Sequence, residues 1–206
     1  MRTKSETRRE AILQAALEVF REVGFDAASM SQIAARAGGS KGTLYNYFPS
    51  KEDLLLAAMV DQAQAFSDSV IGQLHESGSL RIRLQRFVNS LLSELHSPDV
   101  IKILRVAISV GGTTDVGIRF HDLSTYDCWQ HIVAVLQEAT DKDELRCEDP
   151  WKMVDLLRCQ CESGLLAALM GVSLPTGEDA LRQQAESIID IFLRAYASEK
   201  SPSPDH

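Results

Sequence analysis

The stretch Ala28-Ser-Met-Ser-Gln-Ile-Ala-Ala-Arg-Ala-Gly-Gly-Ser-Lys-Gly-Thr-Leu-Tyr-Asn-Tyr-Phe-Pro-Ser-Lys-Glu-Asp-Leu54 decides the fold. Ser29 and Gln32 have the spacing of a capping box, which starts a short helix over residues 30–37. Gly38-Gly39-Ser40 makes the turn, and Ser40 caps a second short helix over residues 41–47. Ile33, Ala34 and Ala37 face inward on the first helix, and Leu44 and Phe48 on the second. The outward face of the second helix carries Lys41, Thr43, Tyr45, Asn46 and Tyr47. A small core under a polar second helix is what a helix-turn-helix needs to enter a major groove about 12 Å wide. Gly42 lets the backbone approach closely. Lys41, Tyr47 and Lys51 have the chemistry for phosphates, as do the amides near Ser29 and Ser40. Thr43, Tyr45 and Asn46 are placed for base edges.

Outward from this stretch, helical periodicity continues and alternating strand patterns do not persist. A first helix is expected over residues 6–23, ended by Gly24, and a long one from Lys51 to about Leu74 after Pro49-Ser50. Further helices are expected from Ser79 to Leu95, from Ser97-Pro98-Asp99 to Gly111-Gly112 and from Asp115 to Ala139. The last two run from Asp149-Pro150 to Val172 and from Thr176 to Ala197. The expected fold is therefore all-α with about nine helices. Residues 1–51 form a three-helix DNA-binding domain, 52–198 a ligand-binding and dimerisation domain, and 199–206 a disordered tail.

The chain has 206 residues and a net charge of −8, which looks wrong for a nucleic-acid binder until it is divided. Residues 1–51 hold eight Lys/Arg against five Asp/Glu, a net of +3, so the remainder carries −11. A basic head on an acidic body restricts anion binding to the head. No apolar run is long enough to span a membrane, and the N-terminus lacks the apolar region of a signal peptide. A cytoplasmic location is the expectation.

The sequence shows no HExxH, GxSxG, P-loop or GxGxxG, so no catalytic, cofactor or metal site is expected. Cys128, Cys147, Cys159 and Cys161 have no CxxC spacing. A redox or metal sensor using Cys128, Cys159 and Cys161 stays open as an alternative, as does a ligand-handling helical protein with a vestigial DNA-binding head. Phe66, Phe87, His121, Trp129 and Cys161 are candidates for lining an apolar pocket, which sequence cannot distinguish from a core. Val154, Leu157, Cys161 and Leu165 make one stripe, with Gly164 allowing close approach of a neighbour, and Leu181, Ile188 and Phe192 another. Together they are the expected interface of a symmetric homodimer.

Residues 28–54, with Lys41-Gly42-Thr43-Leu44-Tyr45, Tyr47-Phe48 and Lys51 at their centre, resemble the DNA-binding domain of TetR-family transcriptional regulators. Ala11-Ile12-Leu13, Leu17-Glu18-Val19-Phe20 and Gly24-Phe25 extend the resemblance upstream. Residues 97–172 are similar to the AefR-like subgroup. The resemblance implies a pocket among the middle helices and a dimer made by the last two. It implies a repressor that leaves a palindromic operator on the double-stranded DNA when a small apolar effector binds, with the long fourth helix as transmitter. Two positions depart from the family pattern. Gly39 stands where an aliphatic residue usually packs the turn, and should loosen it. Ser31 stands where some members place a long polar residue that reaches a base, so Ser31 is expected at a phosphate.

Overall fold

The computed structural model describes residues 4–198, whose regular secondary structure is helical; one isolated antiparallel bridge joins Leu145 and Ala197. The helices are α1 (Lys4–Ala27), α2 (Met30–Arg36), α3 (Lys41–Tyr47), α4 (Lys51–His75), α5 (Leu80–Leu95), α6 (Pro98–Gly111) and α7 (Val116–Phe120). A π-turn over His121–Thr125 leads into α8 (Tyr126–Asp141), followed by α9 (Pro150–Glu162), α10 (Leu165–Leu169) and α11 (Glu178–Tyr196). The expected tail, residues 199–206, lies outside the described residues.

Local signals explain most of the boundaries. Oγ of Ser29, Ser40, Ser50 and Ser79 each accepts from a backbone N–H three residues on, and Asp149 Oδ1 accepts from Trp151 N. Gly24 has φ 77 and ψ 176, a conformation open to glycine, and it kinks α1 where an end was expected. The last helix starts differently from expectation: its cap is Gly177, which has no side chain to offer, rather than Thr176.

Two helices expected to be continuous are broken. The π-turn separates α7 from α8, and Ser163-Gly164 separates α9 from α10. Helix periodicity runs through both breaks, so apolar spacing alone did not mark them. At the second, a Cβ on Gly164 would lie 3.1 Å from Leu174 Cδ1 and 3.4 Å from His96 Nε2. The close approach that Gly164 permits is therefore to residues of its own chain.

The chain forms two compact units, and the division does not fall at residue 51. The first runs to Ala65 and includes Pro98–Thr125; the second takes Phe66–Ser97 and everything from Tyr126. Leu54, Leu55, Leu56 and Ala58 of α4 complete the core of the first unit with Ile12, Leu13, Ala16 and Phe20 of α1. Ile103, Ala107 and Val110 of α6 join the same core.

In the second unit α11 packs along α5 and α9. This placement changes the meaning of the expected interface stripes. Val154, Leu157, Cys161, Leu181, Ile188 and Phe192 are each no more than 6% exposed and lie in one core with Phe87, Leu92 and Leu136. They hold their own subunit together. Leu165, on α10, is half-buried.

Candidate nucleic-acid interface

The site is built on the α2–turn–α3 segment. Ser29 N donates to Gln32 Oε1 at 2.9 Å while Gln32 N donates to Ser29 Oγ at 3.2 Å, closing the capping box. At the other end of α2, Gly38 N reaches Ala35 O at 3.1 Å and Gly39 N reaches Ala34 O at 2.9 Å. These two bonds, with Gly38 at φ 69, form a Schellman motif that turns the chain toward α3. Ser40 then caps α3, its Oγ 3.0 Å from Thr43 N and 2.9 Å from Thr43 Oγ1. Ile33, Ala34, Leu44 and Phe48 are buried beneath, which fixes the outward face of α3.

That face presents Lys41, Gly42, Tyr45 and Asn46 to solvent, with Thr43 and Tyr47 half-buried beside them. Ser29, Ser31 and Ser40 are exposed along the same segment. Lys41 Nζ stands 5.7 Å above the Tyr45 ring. The Thr43 hydroxyl is engaged by Ser40, which leaves its methyl as the group for a thymine contact. The Tyr47 hydroxyl lies 3.3 Å from Ser5 Oγ, so the end of α3 is tied to α1.

Much of the head's basic charge is answered internally. Arg36 pairs with Glu22 and Glu18, and its hydrogen bond holds the Glu22 carboxyl below the ordinary carboxylate range. Arg21 Nη1 lies 3.4 Å from Asp99, and Arg9 Nη1 lies 3.4 Å from Asp61. Asp53, the third residue of α4, is held low by the Ser50 hydroxyl and then by Arg119, whose Nη1 donates at 3.1 Å. Arg119 is 66 residues away on α7, and nothing in the sequence spacing announces the pair.

Lys51 has a different employment from the phosphate contact expected of it. Its Nζ donates to Phe25 O at 2.6 Å and Ala28 O at 3.0 Å and lies 4.2 Å from the Phe25 ring centroid. The ammonium fastens the start of α4 to the end of α1 and to the loop that follows it. Charge-assisted hydrogen bonds contribute about 1.5–3 kcal/mol each, less where water competes. Lys51→Ala is therefore expected to lower the melting temperature of the head by several degrees, whereas Lys41→Ala leaves it unchanged. Thermal melts by circular dichroism check this, and equal melts for the two variants would remove the clamp role.

The pocket candidates divide between the units. Phe87 and Trp129 meet edge to face at 5.7 Å, with Phe66 packed on the same core and Cys161 buried in it. His121 belongs to the other unit, exposed on the π-turn. Burial, with the charge of Glu162, pushes the Cys161 thiol up to about 12, so it stays protonated and a poor nucleophile. Cys147 and Cys159 are free and exposed; the Cys128 side chain lies outside the described residues. Among the described residues, no group of three His, Cys, Asp or Glu is placed to hold a metal, and no helix is long and apolar enough to cross a membrane.

Capped α2, Schellman turn and exposed polar α3 define a helix-turn-helix DNA-binding regulator. Residues 12–58 match the family model of bacterial regulatory proteins of the tetR family, and residues 82–198 match that of the AefR-like transcriptional repressor C-terminal domain. The chain belongs to the TetR family, and is a transcriptional regulator rather than an enzyme. The HTH-type transcriptional regulator BetI of Escherichia coli is 40% identical over 89 residues, 42% of this chain and 46% of BetI. The chain thus matches about half the length of that curated relative. A TetR-family regulator from Mesorhizobium loti superposes at TM-score 0.86 with 24% identity, covering 95% of this chain and all of the other. The Flavonoid-responsive Regulator FrrA superposes at TM-score 0.71 with 26% identity, covering 94% and 98%.

Proposed function

We propose that this regulator is a repressor that binds a palindromic operator as a homodimer and is released by a small, largely apolar effector held in the second unit. The observation that carries the DNA-binding part is the exposed row Lys41, Tyr45 and Asn46 on a helix whose orientation is fixed by caps at both ends of the turn. Repression is supported by the AefR-like repressor match over residues 82–198. An apolar effector is supported by the aromatic pair Phe87–Trp129 in a core of aliphatic residues, and by the flavonoid response that the name of FrrA declares. α4 passes from the first unit into the second between Ala65 and Phe66, which gives effector binding a covalent route to the head. Release then requires that the effector bind the two conformations with different affinity.

Selection of duplexes from random DNA by the full-length protein tests this reading. Enrichment of an inverted repeat whose half-sites lie about one helical turn (34–36 Å) apart, or a multiple of it, is the expected result. Lys41→Ala should weaken binding to every sequence and flatten the dependence of log K on log salt by about one unit. Asn46→Ala should instead relax preference at one or two base pairs, at about 1–3 kcal/mol each. A panel of flavonoids and other small apolar compounds should include one that raises the melting temperature and dissociates the complex. Equal affinity for selected and random DNA would reject the reading.

A further inference from the structure

Gly38 and Gly39 stand together in the turn for different physical reasons. Gly38 needs glycine for its backbone, at φ 69. Gly39 does not: its backbone lies outside the left-handed region, so what it provides is space. The space is occupied. A Cβ built on Gly39 would fall on Arg8 Nη2, and Arg8 Cζ would be 3.2 Å from it. Arg8 Nη1 meanwhile donates to Ala37 O at 2.7 Å. The guanidinium thus lies across the turn and bonds the C-cap carbonyl of α2, where the helix dipole favours a cation. A bare glycine at position 39 is expected to loosen the turn. A side chain from α1 fills it instead.

We propose that Arg8 is a positioning residue for DNA binding, whose guanidinium takes the place of a side chain at position 39 and fixes the angle at which α3 leaves α2. The fixed fork of the guanidinium suits this task, since one nitrogen can bond the carbonyl while another covers the turn. Half-buried Arg8 is anchored to α1, the same helix that holds the end of α3 through Ser5 and Tyr47. α1 therefore holds both the turn that precedes α3, through Arg8, and the last residue of α3, through Ser5. Such restraint matters because a recognition helix of seven residues presents all its base-facing groups from one rigid element, and a small rotation displaces them together.

The alternative, that Arg8 contacts a DNA phosphate directly, makes different predictions. Both follow from a double-mutant cycle in the full-length protein, with the duplex selected by the wild-type chain as probe. Arg8→Ala should raise Kd about tenfold, with base preference and salt slope unchanged, because no phosphate contact is lost. Arg8→Lys, which keeps the charge but not the fork, should behave like Arg8→Ala. Gly39→Val should bind within about threefold of wild type, as the isopropyl group evicts the guanidinium and fills the turn itself. In that background Arg8→Ala should cost less than twofold. The proposal is overturned if Arg8→Ala costs the same in both backgrounds, if it costs nothing with Gly39 present, or if it flattens the salt slope by about one unit. Failure of the wild-type chain to select any duplex would instead count against the operator reading.

Discussion

Phe192→Asp is expected to abolish the cooperative melting of the second unit. Phe192 is fully buried on α11, its ring 5.2 Å from that of Tyr196. Tyr196 in turn lies beneath the Arg146 guanidinium at 4.9 Å and accepts from Arg146 N at 2.8 Å through its carbonyl. The substitution removes a large aromatic group, at about 3–5 kcal/mol, and leaves a carboxylate to be buried or protonated. A domain is stable by only about 5–15 kcal/mol, so the sum consumes most or all of it. The adjacent Ile191 is 47% exposed on the other side of the same helix. Ile191→Asp should shift stability by no more than about 0.5 kcal/mol. Near-UV circular dichroism and thermal melts of the two variants compare them directly. A well-folded Phe192→Asp protein with the wild-type melt would mean that α11 is packed differently.

Most of the head was legible because each device in it is short-range. Capping boxes, the turn glycines and the four-residue spacing of Leu44 and Phe48 act over a few positions, and each leaves a residue-type signature. The α4 clamp is half legible: Lys51 stands out in the sequence as a cation suited to phosphate, but its partners are the backbone carbonyls of Phe25 and Ala28, and a carbonyl has no letter in the sequence. Arg8 was missed for the same reason, as its partners are a carbonyl and the empty place at Gly39. In the body, periodicity located the buried faces correctly but could not say what covers them. Val154, Leu157, Ile188 and Phe192 read equally as a subunit interface or as an internal core, and the packing of α5 against α11 and α9 makes them core.

Once those residues are withdrawn from the interface, the exposed apolar residues of the body become the ones to test. On α10, Leu166 is 70% and Met170, at its C-cap, 77% exposed, while Leu165 and Leu169 are half-buried beside them. Large apolar side chains clustered on a surface favour burial against a partner, at about 25 cal/mol per Å² removed from water. In a twofold dimer each such residue is buried twice, which concentrates the effect. Leu166→Glu combined with Met170→Glu should therefore leave the subunit folded, with an unchanged melt at low concentration, and shift its sedimentation to that of a monomer. In a dimer formed through this face four glutamates would then meet, and their repulsion adds to the lost apolar contact. Affinity for a palindromic duplex should fall by about 10²–10⁴, because the second half-site is no longer delivered at high effective concentration. The residual complex should show about half the wild-type salt slope, since one head contributes half the phosphate contacts. A double variant that still sediments as a dimer and binds the operator normally would place the interface on another face of the body.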